Sequence, residues 1–201
     1  MTTRVPYAMP PTSRAATPAV DAVRGFVFVS GRSWFRDHGL LDAYMAHLPE
    51  RLRERAGLLT AGEWIPLADA MACYAACDAL ALPEAQQVEI GRAVSAANNG
   101  RVVETIARLA GGLGVSPWIA LQSLHKVWLR SNRGGAVAVY ELGTHEARVE
   151  LWQVPMVRSP FFCSSMRGAI QAGLALLRPR ARVELSDDAP GVDSLALRAA
   201  W

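Results

Sequence analysis

The sequence predicts an α+β fold in which N-terminal helices pack on a C-terminal four-stranded antiparallel sheet. Two observations carry this. Apolar residues recur at helical spacing through most of the chain up to residue 130, and beyond it the pattern changes to two alternating runs, a helix, and two more alternating runs. A ββαββ order closes most simply as one antiparallel sheet with its helix on one face, which leaves the earlier helices to cover the remaining apolar surface. With 201 residues, 51% of them hydrophobic, the chain can bury such a core as one domain.

Residues 1–20 are rich in Pro, Thr and Ala without apolar periodicity and read as a disordered N-terminal arm, with 21–201 a single α+β domain. Gly25-Phe26-Val27-Phe28-Val29 is short, aromatic and β-branched, which favours a strand or extended segment. A helix follows over 32–47, which Gly39 interrupts, then a short one over 49–56 with Pro49 in its first turn and Gly57 as its stop. Glu63-Trp64-Ile65-Pro66-Leu67 cannot lie inside a helix, because proline pushes the residue before it toward extended backbone; it is read as a connector that buries Trp64. An alanine-rich helix over 67–80 and one from Pro83 to about Ala97 come next. Asn98-Asn99-Gly100 breaks the latter, and helix resumes over 101–110 until Gly111-Gly112. Ser116-Pro117 and Ser159-Pro160 are capped helix starts, for helices over 116–130 and 159–177. The runs 136–142 and 147–152 form a hairpin, and 181–185 and 195–199 flank an Asp-Asp-Ala-Pro-Gly turn.

Composition narrows the function. Against 18 acidic residues stand 21 Lys and Arg, of which only Lys126 is lysine; they are spread along the chain, and no basic run with interleaved aromatics points to nucleic acid. No apolar run approaches the roughly 18 residues that span a bilayer, and the first 17 residues lack the apolar segment of a secretory signal, so no membrane insertion and a cytoplasmic location are expected. Cys73, Cys77 and Cys163 make no CxxC pair and are read as buried free thiols; at i, i+4 the first two are the alternative, a thiolate metal pair.

The Gly25-Phe26-Val27-Phe28 segment, the Glu63-Trp64-Ile65-Pro66-Leu67 connector, the Ile90-Gly91-Arg92 helix step, Leu129-Arg130-Ser131-Asn132-Arg133-Gly134-Gly135 and the terminal Leu195-Ala196-Leu197-Arg198-Ala199-Ala200-Trp201 together resemble a myxobacterial paralogous family of proteins of about this length. The likeness covers roughly residues 23–201. That family is distantly similar to the superfamily of haem nitric-oxide sensor, V4R and TRAPP-subunit domains. The resemblance implies a sensor-type fold whose space between helices and sheet takes haem, an aromatic effector or an acyl chain, or whose surface takes partners, and it implies no catalysis. The Tyr-x-Ser-x-Arg propionate clamp of the haem branch and the zinc pattern of the V4R branch are missing from this sequence.

The sharpest candidate site is the helical stripe Trp118, Leu121, His125 and Trp128, which sets one imidazole among indoles at i, i+3, i+7 and i+10. A neutral imidazole in apolar walls can ligate haem iron; core packing with a backbone-bonded histidine is the other reading. Phe162 and Met166, on one face of the 159–177 helix, complete a ligand pocket expected between that helix, the 116–130 helix and the sheet. The six tryptophans, Trp34, Trp64, Trp118, Trp128, Trp152 and Trp201, are read as lining either core or cavity. His38 and His145 are expected in solvent, and His47 at a helix end.

Enzyme signatures are absent: no G-x-S-x-G, H-E-x-x-H, Walker or dinucleotide motif occurs. Ser164 and Ser165 beside Cys163 are read as local hydrogen-bond partners, and Asp187-Asp188 as turn residues. The small face Ala68, Ala72, Ala75, Ala76 and Ala79 suits close helix approach or a homodimer contact. The sequence thus points to a non-enzymatic cytoplasmic signalling module that binds a small apolar or aromatic ligand or a protein partner, without a resident cofactor or metal. The alternatives are a structural interaction protein and a haem-based gas sensor using His125.

Overall fold

The computed structural model describes residues 5–110 and 116–201, with the side chains of 99–110 outside that description. The stop expected at Gly111-Gly112 lies outside the described residues. The fold is α+β. Strands β1 (Val5–Ala8) and β2 (Ala22–Arg24) precede helices α1 (Phe26–Asp37), α2 (Leu41–His47) and α3 (Glu50–Ala56). Strand β3 (Trp64–Pro66) leads into α4 (Leu67–Ala79), α5 (Glu84–Ala110) and α6 (Trp118–Ser131), then β4 (Asn132–Arg133). The C-terminal block is β5 (Ala136–Gly143), β6 (Glu146–Trp152), α7 (Pro160–Ala175), β7 (Arg182–Ser186) and β8 (Leu195–Ala200).

Strand alternation decides where the core sits. Val137, Val139, Ala147, Val149, Leu151, Val183, Leu195, Leu197 and Ala199 point to the helical side and join one continuous apolar cluster with α1, α4, α5, α6 and α7. The opposite face carries Ala136, Ala138 and Trp152 with Tyr140 at its edge. Sheet order is β1-β5-β6-β8-β7, every pair antiparallel, so the expected four-stranded sheet gains a fifth strand. That strand comes from the segment read as a loose arm: Val5 and Pro6 pair with Glu141 and Tyr140. Pro6 conceals it from a propensity reading, yet a residue without an N–H is tolerated on an edge strand, where half the backbone groups face outward.

A small second sheet, β3-β2-β4, ties the start of α1 to the end of α6. Here the sequence reading needs correction. Gly25-Phe26-Val27-Phe28-Val29 is helical from Phe26, because the Gly25 carbonyl accepts the N–H groups of Phe28 and Val29 while the Gly25 and Phe26 N–H groups bond Glu63 and Ala61 carbonyls. Burying Phe28 and Phe35 on one helical face outweighs the β-preference of the segment. The extended stretch falls just before it, at β2, and just inside the connector, at β3.

The break expected at Asn98 also fails to form, and α5 runs on to Ala110. Asn98 donates through Nδ2 to the Val94 carbonyl one turn back at 2.7 Å and exchanges hydrogen bonds with Ser30 of α1, so its amide serves the helix instead of ending it. The capped start at Ser159 is present, its Oγ accepting the Phe162 N–H at 3.1 Å, whereas α6 begins one residue later than expected, with Pro117 in the cap position and Ser116 Oγ 3.4 Å from the Trp118 nitrogen. Among the described residues no helix is long and apolar enough to cross a membrane.

Candidate functional site: a cavity between helices and sheet

Helices α5 and α7 cross with almost no side chain between them. A Cβ on Gly91 would lie 1.8 Å from the Ser165 carbonyl oxygen, and one on Gly168 would lie 2.0 Å from that of Val88. This tight crossing holds two helices together at one point, and between them, α1, α6 and the sheet lies a cavity of about 540 Å³. Its wall is formed by Val27, Phe28 and Phe35 of α1, Tyr74 of α4, Ile90 and Val94 of α5, Leu121, Leu124 and Trp128 of α6, Phe162, Met166 and Ile170 of α7, and Val137 and Leu151 of the sheet. Cavities of this size with apolar walls and a few polar groups are the usual form of a small-molecule site.

The predicted stripe on α6 divides. Leu121 and Trp128 face the cavity, as do Phe162 and Met166 of α7. Trp118 and His125 do not line it. The Trp118 ring packs 4.4 Å from Tyr7 of β1 and edge-on to Trp201 at 5.0 Å, and its Nε1 donates to the Thr144 carbonyl. His125 turns to the sheet, where Nδ1 accepts the Val137 N–H at 3.3 Å. An accepting Nδ1 places the proton of the neutral ring on Nε2, and burial pulls the pKa down from its usual value.

Of the six tryptophans only Trp128 reaches the cavity. Trp34 stacks on His38 at 3.7 Å, Trp64 lies under the Arg24 guanidinium, and Trp152 is on the far side of the sheet. Four residues that the sequence reading passed over join the site: Phe28, Phe35, Tyr74 and Arg32. Phe28, Arg32 and Phe35 stand at i, i+4 and i+7, a spacing that marks them as one helical face; reading the first of them as strand hid it.

Most of the polar wall is already engaged. Asn98 bonds Ser30 and Val94, Ser131 and Ser165 bond backbone carbonyls of their own helices, and Asn132 of β4 bonds the Trp128 carbonyl of α6. Burial pushes the Cys77 thiol and the Tyr74 phenol well up from their ordinary values, so both keep their protons at neutral pH. Cys163, near the start of α7, donates to the Val157 carbonyl and is pushed up to about 11 by burial, so the helix start does not yield a reactive thiolate there. Ser165 donates to Phe162, in line with a local role. Among the described residues no group of three His, Cys, Asp or Glu could hold a metal ion. On α4, Ala68, Ala75 and Ala79 are exposed while Ala76 is buried.

Asp188 is more than a turn residue. Its carboxylate accepts Arg148 Nη1 at 2.6 Å, and Arg148 also bonds Glu150 at 2.6 Å on the outer face of the sheet, both side chains about 5% exposed. Glu150 in turn accepts the Trp152 Nε1–H at 3.0 Å. The i, i+2 spacing of Arg148, Glu150 and Trp152 was the available sign that one strand face carries all three.

No protein-family model matches the chain, and no curated protein matches it in sequence. Solved structures do match in fold. An H-NOX protein from K. algicida, in the Fe(II) unliganded form, superposes with a TM-score of 0.58 at 9% identity over 88% of this chain and 95% of that one. An oxygen-binding H-NOX domain related to soluble guanylate cyclases gives 0.53 at 13% identity over 88% and 94%. A structure described as probing haem distortion in the H-NOX family gives 0.55 at 12% identity over 89% and 94%. At these identities the likeness is one of fold, and it extends over nearly the whole of each chain: this α+β arrangement of helices on an antiparallel sheet is the H-NOX fold.

Proposed function

We propose that the chain is a non-catalytic, cytoplasmic sensing module that takes a small apolar or aromatic molecule into the cavity between its helices and sheet. The observation that supports this most is the cavity itself, about 540 Å³ walled by Phe28, Leu121, Trp128, Phe162 and Met166 inside a fold that similar structures use around a prosthetic group. Well-packed interiors leave few voids larger than a water molecule, and a space of this size has room for a small organic molecule. Occupancy would be sensed through α6, whose Leu121 and Trp128 touch the cavity while His125 and Trp118 touch the sheet and its added edge strand. A protein partner or a second copy would read that change, with the exposed alanines of α4 as one contact surface.

Haem-based gas sensing is the second reading, favoured by the haem of the similar structures. The residues present do not fit an iron porphyrin held by a protein axial ligand. All four histidines are among the described residues, and none lines the cavity. Tyr74 and Cys77 do line it, but burial favours their neutral forms in the empty cavity, so each would have to give up its proton to hold iron as phenolate or thiolate. Met166 offers a thioether alone.

Purified protein, with and without added haem, would be examined by absorption and native mass spectrometry. The expected result is no stoichiometric Soret band and a bound organic mass, or a mass gain with an apolar probe. A one-to-one Soret band lost in His125→Ala would replace this reading with the haem sensor.

A further inference from the structure

Arg32 is the exception on the cavity wall. It projects from the same face of α1 as Phe28 and Phe35, and its Nε is buried without a hydrogen-bond partner. Arg167 has a buried Nε too, but its guanidinium reaches Glu84 at 2.8 Å. Arg32 has no such relief among the described residues. The groups acting on its charge are Tyr44, Arg36 and Cys73, and no carboxylate is among them. Asp69, a buried acid that shares a small space with Arg32, is held by Arg51 at 2.5 Å and Arg55 at 3.6 Å. A guanidinium stays charged in a protein, and a partly desolvated cation without a counterion is costly. Arg32, Phe28 and Tyr44 also line a second, small space of about 30 Å³, so Arg32 borders both spaces.

We infer that the ligand of the cavity is an amphipathic monocarboxylate: its carboxylate pairs with the Arg32 guanidinium, and its hydrocarbon body lies among Phe28, Leu121, Trp128, Phe162 and Met166. The fork of a guanidinium matches a carboxylate in two parallel hydrogen bonds, and the wall beyond it is mostly apolar, with Asn98, Ser131, Asn132 and Ser165 already bonded within the protein. Lys126 and Arg130 reach the wall from the exposed side of α6, where water already solvates them, so they lack the same need for a partner. This inference rests on the cavity being a ligand site, and the test separates the two.

Isothermal titration of the full chain at neutral pH would compare decanoate with decan-1-ol, which share a tail and differ in the headgroup charge. Decanoate should bind one-to-one about ten-fold or more tightly than the alcohol, as a charge-assisted pair commands. Arg32→Met should erase that preference; Arg32→Lys should keep part of it, and Lys126→Met all of it. Equal binding of acid and alcohol to the wild type, or a preference that survives Arg32→Met, overturns the carboxylate inference but leaves the cavity reading standing. Binding of neither probe overturns both. Arg32→Met removes an unpaired charge, so it should fold; Arg32→Gln gives the same readout if it does not.

Discussion

His125 on α6 and Val137 on β5 are joined by a single hydrogen bond, from the strand N–H to the ring Nδ1 at 3.3 Å, so one imidazole fastens the cavity helix to the sheet. The bond requires the unprotonated ring nitrogen. Burial lowers the pKa of His125 below the ordinary 6.5. Above about pH 6.5 the ring is neutral in folded and unfolded chains alike and its contribution is fully present; as pH falls below that value the unfolded chain takes the proton first, and stability is lost until the folded ring titrates too. Urea midpoints measured from about pH 7.5 to about pH 5 should therefore decline, and His125→Asn, which offers an amide oxygen near the place of Nδ1, should flatten that decline. An unchanged slope in the variant would assign the decline to other groups.

The crossing of α5 and α7 makes a second prediction. Alanine in place of glycine inside a helix is ordinarily worth up to about 1 kcal/mol of added stability. At Gly91 and Gly168 the new methyl would meet the backbone of the facing helix at 1.8 and 2.0 Å, and a backbone cannot rotate away as a side chain can. Gly91→Ala and Gly168→Ala should each lose about 1–3 kcal/mol or more in denaturant unfolding. Gly173→Ala, also in α7 but with nothing within 4 Å, should gain roughly 0.5–1 kcal/mol. If all three substitutions behave alike, the close crossing is not what these glycines serve.

How far the sequence carried these features differs by region. The ββαββ block was legible because alternation in Ala136–Gly143 and Glu146–Trp152 and the Ser159-Pro160 cap are local signals that the tertiary structure reinforces. The strand at Val5–Ala8 was not, since its partner lies more than 130 residues away and nothing local demands pairing. For the site, helical spacing correctly put Leu121 and Trp128 on one face with Phe162 and Met166 opposite. Spacing alone could not show that Trp118 and His125, one turn on, rotate past the cavity edge to meet Tyr7 and Val137. Arg32 was invisible because an arginine in a surface-length helix reads as solvated until its neighbours are known.

Met166 offers a test of the cavity that needs no ligand. It is half-buried on the wall and flexible, and neighbouring space is open to a larger ring. Met166→Phe should raise the stability of the empty protein by about 1 kcal/mol, roughly 2–4 °C in Tm for a chain of this size, and weaken uptake of decanoate or any apolar probe. A fall in Tm would mean that the space is too tightly shaped, or too well filled, to take the extra carbon atoms.

On the opposite face of the sheet, Arg148 and Glu150 form a buried pair that also engages Trp152, Ser186 and Asp188. Removing one member of such a pair strands the other charge away from water. Glu150→Ala should cost about 3–5 kcal/mol, since it leaves the guanidinium short of its buried partner and the Trp152 N–H without its acceptor. Asp188→Ala should cost far less, about 1 kcal/mol, because its carboxylate is 56% exposed and water replaces much of what it loses. The double change Arg148→Met with Glu150→Leu should recover most of the loss, as desolvating both charges offsets much of what their attraction returns. Denaturant unfolding of the three variants measures all of this in one series. A double variant as unstable as Glu150→Ala would show that the two side chains act through packing alone, and not as an ion pair.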